Sequence, residues 1–376
     1  MGGDMKISDR LQRAPLSGIR KMFDLAAPGS VNLSLGEPDV LPPEAAVKGM
    51  NDAAVKGMNG YGPTPGIMPL REAVAARYPG IAPGNVMITS SGTTALLMIA
   101  QSLIDPGDEA LIPSPGFVVY GPHTMLSAGK AVEYKLTEND FQPDIDDIQK
   151  RITKRTKLLF LNFPSNPTGG VLNEGSFKAI RDITKDKKIT VISDEVYEPF
   201  VYDGKHRSFI SELDNSIVVN GFSKMMAVPG WRMGFVAADA EIIKDLTRMA
   251  YHMCACPNMP AQYGILNAMP TIDGYLNDVR EIYRKRRDLI TKRINDIDGL
   301  SLSAPKGAFY AFPSFSFKMS SEEFAMELVK EKLICVPGSA FGAYGEGHLR
   351  FSYAADEHKI SMGMDILEKV SKKMKR

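Results

Sequence analysis

Short apolar runs that alternate with helical stretches are the feature that most constrains the fold of this chain. The β-like runs between residues 85 and 239 are NVMITSS, DEALIPS, KAVEYKL, KLLFLNF, ITVISDE, SIVVNGF and GFVAAD. Helical patterns such as GTTALLMIAQSLI and EGSFKAIRDITKD lie between them, and AEIIKDLTRMAYHM follows the last. Strands that alternate with helices in this way indicate an α/β domain built on a largely parallel sheet.

The chain is long enough for more than one domain. Its 376 residues suit two or three domains at roughly 100–200 residues each. We predict an N-terminal arm that also forms part of a small domain (residues 1–40), a large domain (41–280) and a C-terminal small α+β domain (281–376). The amphipathic run YLNDVREIYRKRRDLITKRINDI is expected to be one long helix that links the large domain to the small one.

Composition and charge argue against nucleic-acid and membrane functions. The 45 basic and 44 acidic residues leave a net charge of +1, so no overall field would attract nucleic acid or an acidic membrane. The basic runs KRITKRTK (150–157) and RKRR (284–287) are predicted to be solvated faces. No apolar run reaches the ~18 residues of a membrane span, and the N-terminus lacks the apolar segment of a secretory signal.

The cysteines and histidines indicate neither disulfides nor a metal site. Cys254, Cys256 and Cys335 are odd in number and show no CxxC spacing, which argues against a disulfide framework and against zinc. A reducing cytoplasm is therefore the predicted location. The five histidines show no metal-ligand spacing, so we predict no metal.

Polar residues stand where several of the predicted strands end. Ser91-Gly92-Thr93 follows NVMITS and opens a helix, and residues 166–169 (NPTG) follow KLLFLNF. Asp194 ends ITVISD with Tyr197 shortly after it, and Lys224 follows SIVVNGFS. Because ligands of open α/β sheets bind outside the carboxyl ends of the strands, we expect these residues to meet in one crevice.

Each of these features has a structural explanation when it is taken alone. Gly92 could simply start a helix, and residues 166–169 could form an ordinary turn. Asp194 could be a surface carboxylate, and Lys224 could snorkel to solvent. The combination is more specific. A lysine amine forms Schiff bases with carbonyl cofactors, and pyridoxal phosphate also needs an acid for its ring nitrogen and anchors for its phosphate. The residues together therefore predict a pyridoxal phosphate site.

Eight short motifs also occur in an order typical of one enzyme family. They are SLGEPD, YGPTPG, SSGTTAL, PSPGFVVY, NPTGG, SDEVY, FSKMMAVPGWRMG and HLRFSYA. In this respect the chain resembles the class I pyridoxal-phosphate aminotransferases, from about residue 17 to its end. The resemblance implies the type I fold of pyridoxal-phosphate enzymes, in which a large α/β domain with a mixed, mostly parallel sheet is joined to a small α+β domain.

The resemblance implies a role for each residue around the cofactor ring. Lys224 would form the Schiff base and move the proton between substrate and cofactor carbons. Asp194 would keep the ring nitrogen protonated, because a carboxylate beside a cation stabilises the charged form. Tyr197 and Asn166 would hydrogen-bond the ring oxygen, and Phe117 would stack on the ring.

The resemblance also implies a phosphate site that is completed by a second subunit. The amides of Gly92 and Thr93 would bind the phosphate, and Arg232 would pair with it, since a planar guanidinium suits a dianion. Tyr61 would reach the phosphate of the other subunit in a homodimer. Many family members carry a hydroxyl residue where this chain has Gly221, and Ser223 is expected to replace it.

The substrate side of the site is less well determined by the sequence. Arg350 is expected to clamp the substrate α-carboxylate, with the backbone of Gly36 close to the same group. Thr93 stands where some aspartate-specific relatives carry a lysine, so strict aspartate specificity is not implied. The opening SGIRKMFDLA resembles archaeal-type aspartate and aromatic aminotransferases and does not separate the two.

The expected reaction is ping-pong transamination from an L-amino acid to a 2-oxoacid such as 2-oxoglutarate, with aspartate favoured as donor. Aromatic or alanine donors are the first alternative, and a carbon–sulfur lyase on the same fold is the second. A cofactor-binding regulator would carry a DNA-binding domain, for which the residues before SLGEPD are too few. A nicotinamide enzyme is disfavoured because no GxGxxG follows a strand.

Overall fold

A seven-stranded sheet forms the centre of the protein. The computed structural model describes residues 7–12, 14, 16–138, 140–211 and 214–374. The strands of this sheet are β2 (Val86–Thr89), β3 (Glu109–Ser114), β4 (Lys130–Lys135), β5 (Thr156–Asn162), β6 (Thr190–Asp194), β7 (Ser216–Gly221) and β8 (Gly234–Ala237). They coincide with the seven β-like runs predicted from the sequence, to within one or two residues at each end.

The sheet is mixed but mostly parallel, which confirms the predicted fold class. Its strand order is β2-β8-β7-β6-β5-β3-β4. Strand β8 runs antiparallel to both of its neighbours, and the remaining pairs are parallel. All residues of β2, β3, β7 and β8 are buried, because helices cover both faces of the sheet. This burial explains why the runs are continuously apolar rather than alternating.

The helices that accompany this sheet follow the predicted order. Helix α5, for example, begins immediately after β2 and buries Ala95, Leu96, Met98, Ile99 and Ala100. The helices from the amino terminus to residue 268 are α1 (Asp9–Gln12), α2 (Gly18–Asp24), α3 (Glu44–Val55), α4 (Met68–Ala75), α5 (Gly92–Leu103), α6 (Tyr120–Leu126), α7 (Ile145–Arg151), α8 (Glu174–Lys187), α9 (Phe222–Met225), α10 (Ala240–Cys254) and α11 (Met259–Ala268).

Three small sheets and three helices make up most of the chain beyond residue 271. The short strands are β1 (Val31–Asn32), β9 (Leu300–Ser301), β10 (Tyr310–Ala311), β11 (Ser314–Phe315), β12 (Leu333–Ile334), β13 (Val336–Pro337) and β14 (Leu349–Ser352). The helices are α12 (Ile272–Asn295), α13 (Ser321–Lys330) and α14 (Glu357–Met374). Strand β14 lies between β10 and β13, and β11 pairs with β9. None of the helices in the described ranges is long and apolar enough to cross a membrane.

The amino-terminal segment packs with the carboxyl-terminal part of the chain. Strand β1 pairs in parallel with β12, so that Val31 lies opposite Leu333. Met22, Val31 and Leu33 belong to the same buried cluster as residues of α12, α13 and α14. Helix α12 is the long helix predicted from the sequence, and it runs across the expected domain boundary at residue 280. The division into 1–40, 41–280 and 281–376 stays a prediction.

The basic run at 284–287 is not the solvated face that the sequence predicted. Arg286 is only 8% exposed and shares one face of α12 with the buried Tyr283 and Ile290. Its guanidinium donates two hydrogen bonds to the carboxylate of Asp39, at 2.6 and 2.9 Å. The prediction was wrong because charge was counted without regard to the helical period, which turns this one arginine toward the core. The ion pair between Arg286 and Asp39 therefore links the amino-terminal segment to α12.

Replacing Asp39 by asparagine is expected to lower the free energy of unfolding by about 1–3 kcal/mol, because it leaves the buried Arg286 without its charged partner. Urea unfolding of both proteins measures this difference. The matched control is Asp245→Asn, which breaks an Asp–Arg pair with Arg248 whose side chains are 66% and 78% exposed. That control should change stability by less than about 0.5 kcal/mol. Equal effects of the two substitutions would contradict the structural role given to Asp39.

Candidate active site

A cavity of about 240 Å³ lies at the carboxyl ends of β5, β6 and β7. The register of the sheet brings these ends together, since Asn162 pairs with Asp194 and Asp194 with Val219. All but one of the predicted site residues line the cavity: Gly36, Gly92, Thr93, Phe117, Asn166, Asp194, Tyr197, Ser223, Lys224, Arg232 and Arg350. The exception is Tyr61, which is 93% exposed and lies outside it.

One end of the cavity is built to attract an anion. Helix α5 begins there at Gly92, and Ser91 caps it by accepting a hydrogen bond from Thr94 N at 3.2 Å. The first amides of the helix and its dipole therefore point at the cavity. Strand β8 approaches the helix start so closely that a Cβ at Gly234 would lie 2.6 Å from Gly92 N. Only glycine allows this approach.

The arginine at the same end is held in an unusual backbone conformation. Arg232 has a φ of 57°, and Ser91 has a φ of 107°, both in the region that L-residues rarely adopt. The guanidinium of Arg232 donates to the carbonyl of Pro229 at 2.8 Å and lines the cavity. Strained non-glycine residues cluster at functional sites, where the surrounding structure maintains them. Here the strain accompanies the residues that face the anion position.

Asp194 is a buried carboxylate with hydrogen bonds but no cation. It is 3% exposed, and its Oδ2 accepts a hydrogen bond from the Tyr120 hydroxyl at 2.7 Å. Burial raises the pKa of Asp194 to about 6, against the lowering effect of the Tyr120 and Val196 hydrogen bonds. Within the described ranges, no lysine, arginine or histidine nitrogen lies within 4.0 Å of this carboxylate. A cationic N–H in the cavity would lower that pKa and satisfy the charge.

Lys224 projects into the cavity from the short helix α9, directly after β7. Its Nζ donates a hydrogen bond to the carbonyl of Gly36 at 2.5 Å. Burial lowers the pKa of Lys224 to about 8, against the raising effect of Glu37, and the charges of Arg232 and Arg350 act in the same direction as burial. At this pKa roughly a tenth of the amine is unprotonated at pH 7, and the unprotonated amine is the form that acts as a nucleophile or a base.

Arg350 lies at the other end of the cavity and is 1% exposed. Its Nη1 donates to Asn166 Oδ1 at 2.8 Å, and its Nη2 donates to the Ser34 carbonyl. The guanidinium carbon lies 4.7 Å from the ring centroid of Tyr310. Arg350 Nε is buried and has no hydrogen-bond partner within the described protein. A buried cation without a countercharge is costly, so this position favours an anionic ligand.

The glycine predicted to approach a substrate carboxylate has a different neighbour in the structure. A Cβ at Gly36 would lie 1.7 Å from the hydroxyl of Tyr310. The absence of a side chain therefore makes room for a tyrosine, while the Gly36 carbonyl holds Lys224. The role predicted for Gly36 toward the substrate remains a prediction. The structure explains why this position is a glycine: a side chain there would collide with Tyr310.

Sequence reasoning missed Tyr120 and Tyr310. Tyr120 lies at the end of the motif PSPGFVVY, three residues after Phe117, and its hydroxyl reaches Asp194. Tyr310 lies in KGAFYAF and lines the cavity. Both are fully buried tyrosines, and a buried tyrosine usually has a hydrogen-bond partner. Nothing in the local sequence indicates which tyrosines are buried at the cavity, because helix α6 and strand β10, far apart in the chain, bring them there.

The fold and the cavity define an α/β enzyme whose site combines a reactive lysine, a buried acid, a helix N-terminus and two arginines. The sequence profile of the family "Aminotransferase class I and II" matches residues 28–367. The chain therefore belongs to this family of aminotransferases.

Individual relatives cover nearly the whole chain. An aromatic-amino-acid aminotransferase 2 of Thermococcus litoralis is 40% identical over 99% of this chain and 100% of its own length. An aspartate aminotransferase of Pyrococcus abyssi is 38% identical with the same coverage. The solved structure of an alanine aminotransferase from Pyrococcus furiosus has a TM-score of 0.93 at 34% identity, and the match covers 98% of this chain and 100% of that one.

Proposed function

We propose that this protein transfers the amino group of an L-amino acid, with aspartate favoured, to a 2-oxoacid such as 2-oxoglutarate, using pyridoxal phosphate in a ping-pong reaction. One observation carries the proposal. A partly buried lysine with a pKa lowered to about 8 shares one cavity with a buried carboxylate whose pKa is raised to about 6. A cofactor between them would compensate both groups, because its basic ring nitrogen would pair with the carboxylate and its carbonyl would react with the lysine.

The residues present fit pyridoxal phosphate. Asp194 is a buried acceptor without a cation, which suits a protonated ring nitrogen. The start of α5 at Gly92 and the guanidinium of Arg232 offer amides and a positive charge for a phosphate. Tyr197 would donate to the ring oxygen, and Phe117 would pack on the ring face. Ser223 lines the same end of the cavity and would add a hydroxyl to the phosphate site.

When bound, pyridoxal phosphate supplies a carbonyl carbon that carries the amino group and an aromatic ring that withdraws electrons from the substrate carbon. The protein orients the substrate. Arg350 would bind the α-carboxylate through Nε and Nη, and Asn166 holds the guanidinium in place at 2.8 Å. This clamp would fix which substituent of the α-carbon faces Lys224, and thereby which bond breaks.

Lys224 would carry the proton. Its amine would take a proton from the substrate α-carbon as a base and would give that proton up again as an acid, so one group would serve both roles. A pKa of about 8 suits both tasks, because each protonation state is accessible near neutral pH. The Gly36 carbonyl, at 2.5 Å from Nζ, keeps the amine inside the cavity when it is not bonded to the cofactor.

The donor side chain is the least constrained part of the proposal. Among the described residues that line the cavity, the cations are Lys224, Arg232 and Arg350, and each already has a role. The side-chain carboxylate of aspartate would therefore need a further cation, and Thr93 supplies none. Aromatic or alanine donors are the second candidate for this reason. Relatives named for each of these three donors resemble the chain at similar levels.

We propose that a second copy of the chain supplies the contact to the phosphate that Tyr61 cannot make within its own subunit. Tyr61 is 93% exposed, far more than a tyrosine normally is. Val55 and Met58, a short distance before it, are 88% and 41% exposed. A homodimer that covers this segment would bury its apolar side chains and would bring Tyr61 to the phosphate site of the partner. A cytoplasmic location remains our prediction for this dimer.

The test is an absorption spectrum of the purified protein with pyridoxal phosphate, followed by separate additions of aspartate, phenylalanine, tyrosine and alanine without any oxoacid. We expect a visible band that one amino acid bleaches stoichiometrically, and the most effective amino acid identifies the donor class. Release of pyruvate and ammonia from added cystathionine, without an oxoacid acceptor, would instead identify the lyase. A protein that takes up no cofactor would overturn the proposal.

A further inference from the structure

Tyr310 lies between the two ends of the active-site cavity, and the roles proposed above do not use it. It is 1% exposed, and its hydroxyl lies 2.6 Å from the hydroxyl of Tyr197. The guanidinium carbon of Arg350 lies 4.7 Å from its ring centroid. The same hydroxyl lies where a Cβ of Gly36 would be, and the Gly36 carbonyl accepts a hydrogen bond from Lys224. Tyr310 therefore touches or adjoins the groups that would bind the carboxylate, the ring oxygen and the amine.

The contact between the two tyrosines also joins two sheets. Tyr310 belongs to β10, which pairs with β14, the strand that carries Arg350. Tyr197 follows β6 of the seven-stranded sheet. The rings of Tyr197 and Tyr310 meet edge to face at 5.4 Å and 86°. Arg350 and Tyr310 are thus positioned by one small sheet, and their joint contact with the large sheet passes through Tyr197 and Asn166.

We propose that Tyr310 is a positioning residue that transmits the neutralisation of Arg350 to the hydroxyl of Tyr197, so that carboxylate binding at Arg350 changes hydrogen bonding to the cofactor ring oxygen. The inference rests on the proposed function, because it presupposes that pyridoxal phosphate binds beside Tyr197. It adds a residue that acts through Tyr197, not one that contacts the reacting atoms.

The physical basis is a chain of two hydroxyl donors next to a cation. Burial raises the pKa of both tyrosines, so each hydroxyl keeps its proton near neutral pH. When Tyr197 donates to the ring oxygen, its own oxygen accepts from Tyr310, and donors in such a chain strengthen one another. The charge of Arg350 lowers the pKa of Tyr310 relative to burial alone and makes it a stronger donor. A carboxylate that neutralises Arg350 removes that effect.

Other charged or titratable groups also lie near Tyr197 and Tyr310. Asp194 raises the pKa of both tyrosines, in the opposite sense to Arg350. Lys224 donates to the carbonyl of Gly36, the residue that lies beside the Tyr310 hydroxyl. Cys335 is a buried thiol near Arg350, and its pKa is raised out of the physiological range. Arg350 is therefore the group near the pair whose effective charge changes when a carboxylate substrate binds.

The experiment compares the loaded wild-type protein with Tyr310→Phe, Tyr197→Phe and the double variant. The pKa at which the visible cofactor band titrates is measured with and without a non-reacting carboxylate, maleate or 3-phenylpropanoate. Without carboxylate, Tyr310→Phe should raise this pKa by roughly half a pH unit, the effect of one lost hydrogen bond. With carboxylate, the shift seen in wild type should fall to less than half in Tyr310→Phe.

The matched control is Tyr353→Phe. Tyr353 is equally buried, and its hydroxyl lies 3.2 Å from that of Tyr202, away from the cavity lining. This variant should reproduce the wild-type shift, and thermal unfolding of all variants tests that each is folded. In the Tyr197→Phe background, Tyr310→Phe should add nothing to the shift.

The outcomes separate the relay from the function on which it rests. A visible band that forms in every variant, with a carboxylate-induced shift as large in Tyr310→Phe as in wild type, would overturn the relay and leave the proposed function intact. An additive effect of the two phenylalanine substitutions would also overturn it. If wild-type protein forms no visible band at all, the proposed function fails first.

Discussion

Replacing Lys224 by alanine is expected to lower the rate of amino-group transfer from donor to cofactor by at least about 10⁴-fold, the upper range of a single acid–base group. Lys224 is the lysine that lines the described cavity, and its amine alone among the lining side chains combines nucleophilic character with a lowered pKa. Single-turnover mixing of the loaded variant with the preferred donor, followed by absorption, measures the rate. Thermal unfolding should show that the variant remains folded.

The pH dependence of cofactor uptake supplies an independent measurement of the same residue. Below pH 8 the Lys224 amine is increasingly protonated and cannot attack a carbonyl, so the rate of uptake by the cofactor-free protein should rise through pH about 8 and then level off. Lys285→Ala on α12, a lysine outside the cavity, is the matched control and should leave both measurements unchanged. A Lys224→Ala variant that transferred amino groups at the wild-type rate would remove Lys224 from the mechanism.

The sequence predicted the fold well because the sheet is buried on both faces. A strand covered by helices must be apolar throughout, so runs such as SIVVNGF stand out without any knowledge of their partners. The carboxyl end of each run then supplies the site, since a parallel sheet brings those ends to one edge. Asp194 and Lys224 were accessible to this reasoning, because Asp194 ends β6 and Lys224 lies just after β7.

The residues that sequence reasoning missed or misread depend on contacts between distant segments. Tyr310 approaches Tyr197 across 113 residues of chain, and Tyr120 reaches Asp194 across 74. Arg286 is buried because Asp39 lies opposite, 247 residues away. The sequence does not show whether a given tyrosine or arginine is exposed or buried, so only the tertiary packing distinguishes these residues.

Replacing Arg350 by lysine is expected to lower kcat/KM for the preferred donor by about 10²–10³-fold, although the positive charge is kept. A guanidinium presents parallel donors to a carboxylate, whereas an ammonium is a point charge on a flexible chain. The shorter side chain would also lose the Asn166 contact at 2.8 Å and the position over the Tyr310 ring at 4.7 Å. Losing two charge-assisted hydrogen bonds in a buried site corresponds to roughly 3–4 kcal/mol.

Comparing donors with and without the carboxylate identifies this loss. Tyrosine and tyramine differ only in that group, as do phenylalanine and phenethylamine, so the ratio of their half-reaction rates measures what Arg350 contributes. The ratio should fall by the same 10²–10³-fold in Arg350→Lys, while Lys306→Arg, outside the cavity, should preserve it. If the variant slowed tyrosine and tyramine equally, Arg350 would be acting on the fold or on the cofactor, and the carboxylate site would have to lie elsewhere in the cavity. If the ratio falls as expected, the α-carboxylate is bound at Arg350.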